Sequence, residues 1–91
     1  MNSDKVYTQW AEVLKTLGHP LRLRIVKLLS GNQMCVWDIW NSLNIQQSVV
    51  SQHLAILRKK GIVGCVRQGT YVKYFVKTGP IENIIKLVDK S

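Results

Sequence analysis

Acid is scarce in this sequence. Five Asp and Glu stand against 13 Lys and Arg, leaving a formal charge of +8 over 91 residues. Such a field gathers polyanions at the surface, so nucleic acid is the favoured partner. Cysteine is also sparse: Cys35 and Cys65 lie far apart, and neither has the close second cysteine or histidine of a zinc site. A disulfide scaffold is therefore not expected. No apolar run approaches the roughly 18 to 20 residues that cross a bilayer, and no signal-peptide pattern opens the chain, so a cytoplasmic protein without membrane contact is expected. Low-complexity sequence and internal repeats are missing. So are a nucleophile–base pair, a paired carboxylate site and a phosphate-cradling glycine loop, which argues against an enzyme and against a resident cofactor.

What is present is enough apolar residue, 46%, for one modest core, and one domain over 1–91 is expected. Asp4 is placed to cap a first helix that reaches Leu17, with Val6, Trp10, Val13, Leu14 and Leu17 at helical spacing and Gly18 as its stop. Pro20 suits the first turn of a second helix, whose stripe is Leu21, Ile25, Leu28 and Leu29. Ser30-Gly31-Asn32 then breaks it. Met34 to Val36 reads as a short strand, Trp37 to Leu43 as a brief third helix, and Asn44-Ile45 as a turn. The fourth helix is predicted over Gln46 to Lys60, with Val50, Leu54 and Leu57 on its inner side and Gly61 as a left-handed cap. Ile62 to Arg67 and Tyr71 to Lys77 are β-branched and aromatic, which predicts a hairpin turning at Gln68-Gly69-Thr70. Gly79-Pro80 interrupts the pattern, and Ile81, Ile84, Ile85 and Val88 mark a last helix. Met1 to Ser3 and the final residue or two are expected to be loose.

A short helix, a two-residue bend, a longer helix and a basic hairpin make a winged helix-turn-helix, a mainly α fold with a small β wing. On the fourth helix Gln47, Ser48, Ser51, Gln52, Ala55 and Arg58 share a sector away from the apolar stripe. Glutamine can pair bidentately with adenine, serine bonds to several base edges, and Ala55 lets the helix axis sit deep in a major groove. Arg58, Lys59 and Lys60 lie toward the far end, where phosphates are the expected partners. Arg67, Lys73 and Thr70 place charge and polarity on the hairpin, for phosphates or the minor groove. Charges there would also guard a sheet edge against pairing with other chains.

These residues resemble the ArsR/SmtB family of arsenic- and metal-responsive repressors. His19-Pro20-Leu21-Arg22-Leu23-Arg24-Ile25 is similar to the family's opening helix. Ile45-Gln46-Gln47-Ser48-Val49-Val50-Ser51-Gln52-His53-Leu54 resembles its recognition-helix signature, usually Leu-Ser-Gln-Ser-Thr-Val-Ser-Arg-His-Leu. Leu57-Arg58-Lys59-Lys60-Gly61-Ile62-Val63 and the wing Arg67-Gln68-Gly69-Thr70-Tyr71-Val72-Lys73-Tyr74 continue the likeness. The resemblance implies a homodimer built from the first and last helices, a double-stranded operator with two related half-sites, and repression relieved by an inducer. The residues agree on the dimer, since Trp10, Ile81, Ile85 and Val88 form an apolar surface for a partner unless they pack inside the chain. Two departures stand out: Gln46 replaces a common Ser N-cap, and Val49 replaces a common Thr, offering a methyl to thymine or to the third helix.

Family members that sense arsenic or heavy metals often carry Cys-Val-Cys-Asp-Leu-Cys at the third helix. Here the run is Cys35-Val36-Trp37-Asp38-Ile39-Trp40, with one thiol left of three. The last helix holds Glu82 and Asp89 but no histidine, so the family's zinc site on that helix is also missing, and no metal is expected. His19 and His53 are expected to be structural, with His53 bridging the recognition helix to its neighbours. The alternatives are a thiol-responsive repressor using Cys35 and Cys65, although strand order should keep them a strand apart, and a winged-helix protein-interaction module.

Overall fold

The computed structural model describes residues 2–77 and 79–91. Five helices and three strands follow in the order α1 (Asn2–Leu17), α2 (Pro20–Leu29), β1 (Met34–Cys35), α3 (Val36–Leu43), α4 (Gln47–Lys59), β2 (Val63–Gln68), β3 (Tyr71–Val76) and α5 (Gly79–Asp89). The expected elements are all present, with shifted ends. Asp4 lies within the first turn of α1 instead of capping it, and Ser3, expected to be loose, is helical; Met1 lies outside the described residues. Val36 belongs to α3, and Gly79-Pro80 opens α5, where proline's missing N–H costs nothing in a first turn.

Buried Leu17, Ile25, Val26, Leu29, Ile39, Val50, Leu54, Leu57, Ile62, Val63, Ile81 and Ile85 make one core shared by the helices and the base of the sheet. Here the structure corrects two of the residues expected on the dimer surface. Ile81 and Ile85 are turned inward, only 1% and 2% exposed, because α5 folds back onto α2 and β3. The first helix divides its stripe: Val13 and Leu17 meet the core, while Val6 and Leu14 face outward with Tyr7.

Two helix endings aim the fourth helix. At the end of α3, Asn44 takes a left-handed conformation (φ 55°, ψ 47°), a region asparagine tolerates better than most side chains. Its N–H reaches the Asn41 carbonyl, and that of Ile45 reaches the Trp40 carbonyl. This is a Schellman ending, in which the carbonyls left over by the helix are satisfied while the chain swings away. Gly61 (φ +76°) does the same for α4, its N–H on the Arg58 carbonyl and that of Ile62 on the Leu57 carbonyl. Ile62 and Leu57 are both buried, which locks the exit toward β2.

The sheet is antiparallel in the order β1-β3-β2. Gln68 pairs with Tyr71, so the wing turns on two residues, Gly69 and Thr70, rather than three. Gly69 stands at φ +63°, the positive angle that a two-residue hairpin turn requires.

Candidate nucleic-acid interface

The face of α4 opposite the core is built by spacing alone. Val50, Leu54 and Leu57 are buried, and this turns Gln47, Ser48, Ser51, Gln52, Ala55, Arg58 and Lys59 outward. No acid occurs in the helix. Val49 is half-buried at the edge of that face. Gln46 sits at the N-cap with an extended backbone, and its side chain makes no cap bond, although its carbonyl already accepts from Val49 and Val50. Lys60 leaves the basic run: its Nζ meets the Glu12 carboxylate at 3.1 Å. That bond, the charge of Lys60 and the charge of Lys15 hold the Glu12 carboxyl below its ordinary value.

Beside this face lies a cleft of about 400 Å³ walled by Ser51, Leu54, Ala55, Arg58, Lys59 and, from the wing, Tyr74. Tyr74 was not among the expected site residues, because in sequence it is one more aromatic in a strand. The wing cations do not act as a pair. Arg67 pairs with Val72 and Val66 with Lys73, so strand alternation sends Arg67 and Lys73 to opposite faces. Arg67 and Thr70 are exposed on the outer part of the wing, Arg67 on the face that Tyr74 shares. Lys73 is half-buried next to β1, in a second cleft with Cys35, Trp37, Asp38 and Tyr71.

Cys35 occupies the N-cap of α3, and its thiol donates to Asp38 Oδ2 at 3.1 Å. Cys35 pairs across to Lys73, whereas Cys65 pairs with Tyr74 from the other edge strand. The two cysteines thus sit on opposite edges and opposite faces of the sheet, two strand spacings or about 9–10 Å apart. That exceeds the Cα separation of a disulfide, so a bond within one chain would require the sheet to rearrange. Among the described residues, no three His, Cys, Asp or Glu side chains gather as metal ligands would.

His53 does link the recognition helix to its neighbours. Arg22 Nε donates to its Nδ1 at 3.2 Å, and Arg22 Nη1 donates to the Thr16 carbonyl at 3.2 Å. The rings of His19 and His53 lie 4.6 Å apart between centroids. Burial first, then the nearness of His19 and of the Arg22 guanidinium, hold His53 below the usual imidazole value.

This geometry is shared with known proteins. The model of the arsR family of bacterial regulatory proteins matches residues 19–64, from the cap of α2 through the recognition helix into β2. The chain belongs to that arsR family. An HTH-type transcriptional regulator of Methanocaldococcus jannaschii is 44% identical over 85 residues, covering 92% of this chain and 96% of that one. The crystal structure of the transcriptional repressor PagR of Bacillus anthracis superposes with a TM-score of 0.87 at 39% identity, covering 92% and 97% of the two chains. A homodimeric winged helix-turn-helix DNA-binding domain from Mycobacterium bovis, a possible ArsR-family regulator, gives 0.83 at 26% identity over 96% of this chain and 81% of that one. This arsR-family chain is accordingly a DNA-binding transcriptional regulator with a winged helix-turn-helix, and its relatives are regulators rather than enzymes. No described helix is long and apolar enough to cross a membrane.

Proposed function

We propose that this arsR-family regulator is a repressor that binds a pseudo-palindromic operator as a homodimer, with DNA binding and dimerisation combined in one domain. The observation that carries this reading is the acid-free outer face of α4 beside the wing cleft. Gln47, Ser48, Ser51 and Gln52 are assigned to base edges, and Val49 to the methyl of thymine at the margin. Arg58 and Lys59 are assigned to phosphates. On the wing, Arg67 and Thr70 take the backbone flanking the α4 site, and Lys73 takes a more distant phosphate because it leaves from the other face.

The dimer surface we assign is the outer side of α1 with the end of α5. Val6, Tyr7 and Leu14 are 49%, 75% and 53% exposed, and Leu87 and Val88 add 68% and 47%, a density of exposed apolar side chains that a partner would cover. Both helices pack on α2, so they can share one interface. Two-fold symmetry then sets the centres of the half-sites one helical turn of DNA apart, about 34–36 Å, or a multiple of it.

The test is enrichment of DNA from a random-sequence library at about 0.15 M salt, followed by a gel shift. The expected outcome is a two-fold-related consensus bound by a dimer, and reduced transcription from a promoter carrying it. Failure to enrich any sequence would favour a winged-helix module that binds another protein. Enrichment with raised transcription would make the chain an activator.

A further inference from the structure

The two histidines of the chain, 34 positions apart in sequence, are brought together at the joint between α2 and the recognition helix. Each is used as an acceptor through the same ring nitrogen. His19 Nδ1 takes the Leu21 N–H at 3.1 Å and so caps α2, while His53 Nδ1 takes Arg22 Nε–H at 3.2 Å. A ring nitrogen that accepts carries no proton, so each of these two bonds needs a free Nδ1 lone pair. Arg22 extends the chain of bonds to the Thr16 carbonyl at the end of α1. The end of α1, the start of α2 and the middle of α4 are therefore held by one guanidinium and two imidazoles that accept through Nδ1.

Among the described residues, no carboxylate is among the groups that act on His53. The groups acting on His53 are His19, at the cap of α2, and Arg22 within it, both basic. From α1, Lys15 is basic and the Glu12 carboxylate is taken by Lys60. From α3, the Asp38 carboxylate accepts from Cys35. Protonating His53 turns its acceptor into a donor aimed at Arg22 Nε–H, and protonating His19 removes the cap of α2; either adds a positive charge beside a guanidinium.

We infer that Arg22, His53 and His19 form a proton-sensitive joint that seats the recognition helix, and that mild acid releases it and lowers sequence-specific DNA binding. These are positioning residues, and the inference rests on α4 being the recognition helix. The sign follows from linkage. The unfolded chain takes up a proton on the His53 ring near pH 6.5, while burial, His19 and Arg22 disfavour that proton in the folded joint. The contribution is therefore complete above about pH 6.5 and is lost as pH falls below it. General electrostatics has the opposite sign, since acid adds positive charge to a chain already at +8 and strengthens non-specific attraction to phosphate.

The experiment compares a duplex selected by this protein at about pH 7.5 with a scrambled duplex of equal length, titrated to about pH 5.5 at constant ionic strength. The ratio of the two affinities should fall about five- to ten-fold, while scrambled binding holds or tightens. His53→Asn combined with His19→Asn supplies an amide acceptor near each Nδ1 without a titrating group, and its ratio should stay flat with pH whatever its value at the start. A constant ratio in the unaltered protein, or an undiminished fall in the double variant, overturns the inference. A second arm needs neither DNA nor substitution: NMR titration of the two imidazoles alongside amide exchange of residues 50–57. Protection factors, with the intrinsic pH dependence of exchange divided out, that fall as the rings titrate support the joint, and protection that ignores the titration overturns it. If no duplex is selected at any pH, the DNA reading fails while this second arm still decides the joint.

Discussion

Gly64 shows how little room the base of the wing allows. A β-carbon there would lie 2.8 Å from Phe75 Cζ and 3.1 Å from Lys77 Cγ, so the phenyl ring would have to shift. Gly64→Ala should cost about 1–3 kcal/mol, visible as a lowered urea midpoint with unchanged slope. On the recognition helix, side chains of similar exposure are expected to behave differently. Gln47→Ala and Gln52→Ala should each lose about 1–3 kcal/mol of discrimination at particular operator positions and leave affinity for scrambled DNA nearly unchanged. Lys59→Ala should weaken binding to both duplexes and lower the slope of log affinity against log salt by about one. If the glutamine variants read the same consensus as the parent, their assigned role is wrong. The outward placement of these side chains was legible because the buried stripe at Val50, Leu54 and Leu57 dictates which positions face away from the core. That Lys60 is spent on Glu12 was not legible, since the two lie on helices whose meeting only the fold decides.

At the scale of elements, α4 has one strong end and one weak one. Gly61 closes it with the full Schellman set of bonds, whereas Gln46 opens it without a side-chain cap. Gln46→Ser should therefore stabilise the protein by about 0.5–1 kcal/mol, and Gly61→Ala, forced into φ +76°, should destabilise it by about 1–2 kcal/mol. Thermal unfolding of the two variants beside the parent checks both signs. The hairpin was read from β-branched and aromatic composition, but its register was not. The Gln68 to Tyr71 pairing moved the turn to two residues, and with it came the separation of Arg67 from Lys73. Composition says that a segment is a strand; hydrogen bonding to the neighbour says which face each residue takes.

For the whole molecule, the question is what covers the outer side of α1. Val6→Glu with Leu14→Glu should shift the protein from dimer to monomer in sedimentation, leave its helical circular dichroism in place, and weaken operator binding more than binding to scrambled DNA, because two half-sites would no longer be read together. An undisturbed dimer would move the interface elsewhere.

Fold class, the position of the recognition helix and the family's likeness were determined by the chain alone, because they depend on local periodicity, on turn residues such as Asn44, Gly61 and Gly69, and on contiguous motifs. The tertiary structure alone decided that Ile81 and Ile85 belong to the core, that Cys35 and Cys65 face opposite sides of the sheet, that the wing cations diverge, and that His53 meets both His19 and Arg22. Each of these depends on distances between segments far apart in the chain, and the helical or strand period within a segment carries no information about which neighbour it will meet.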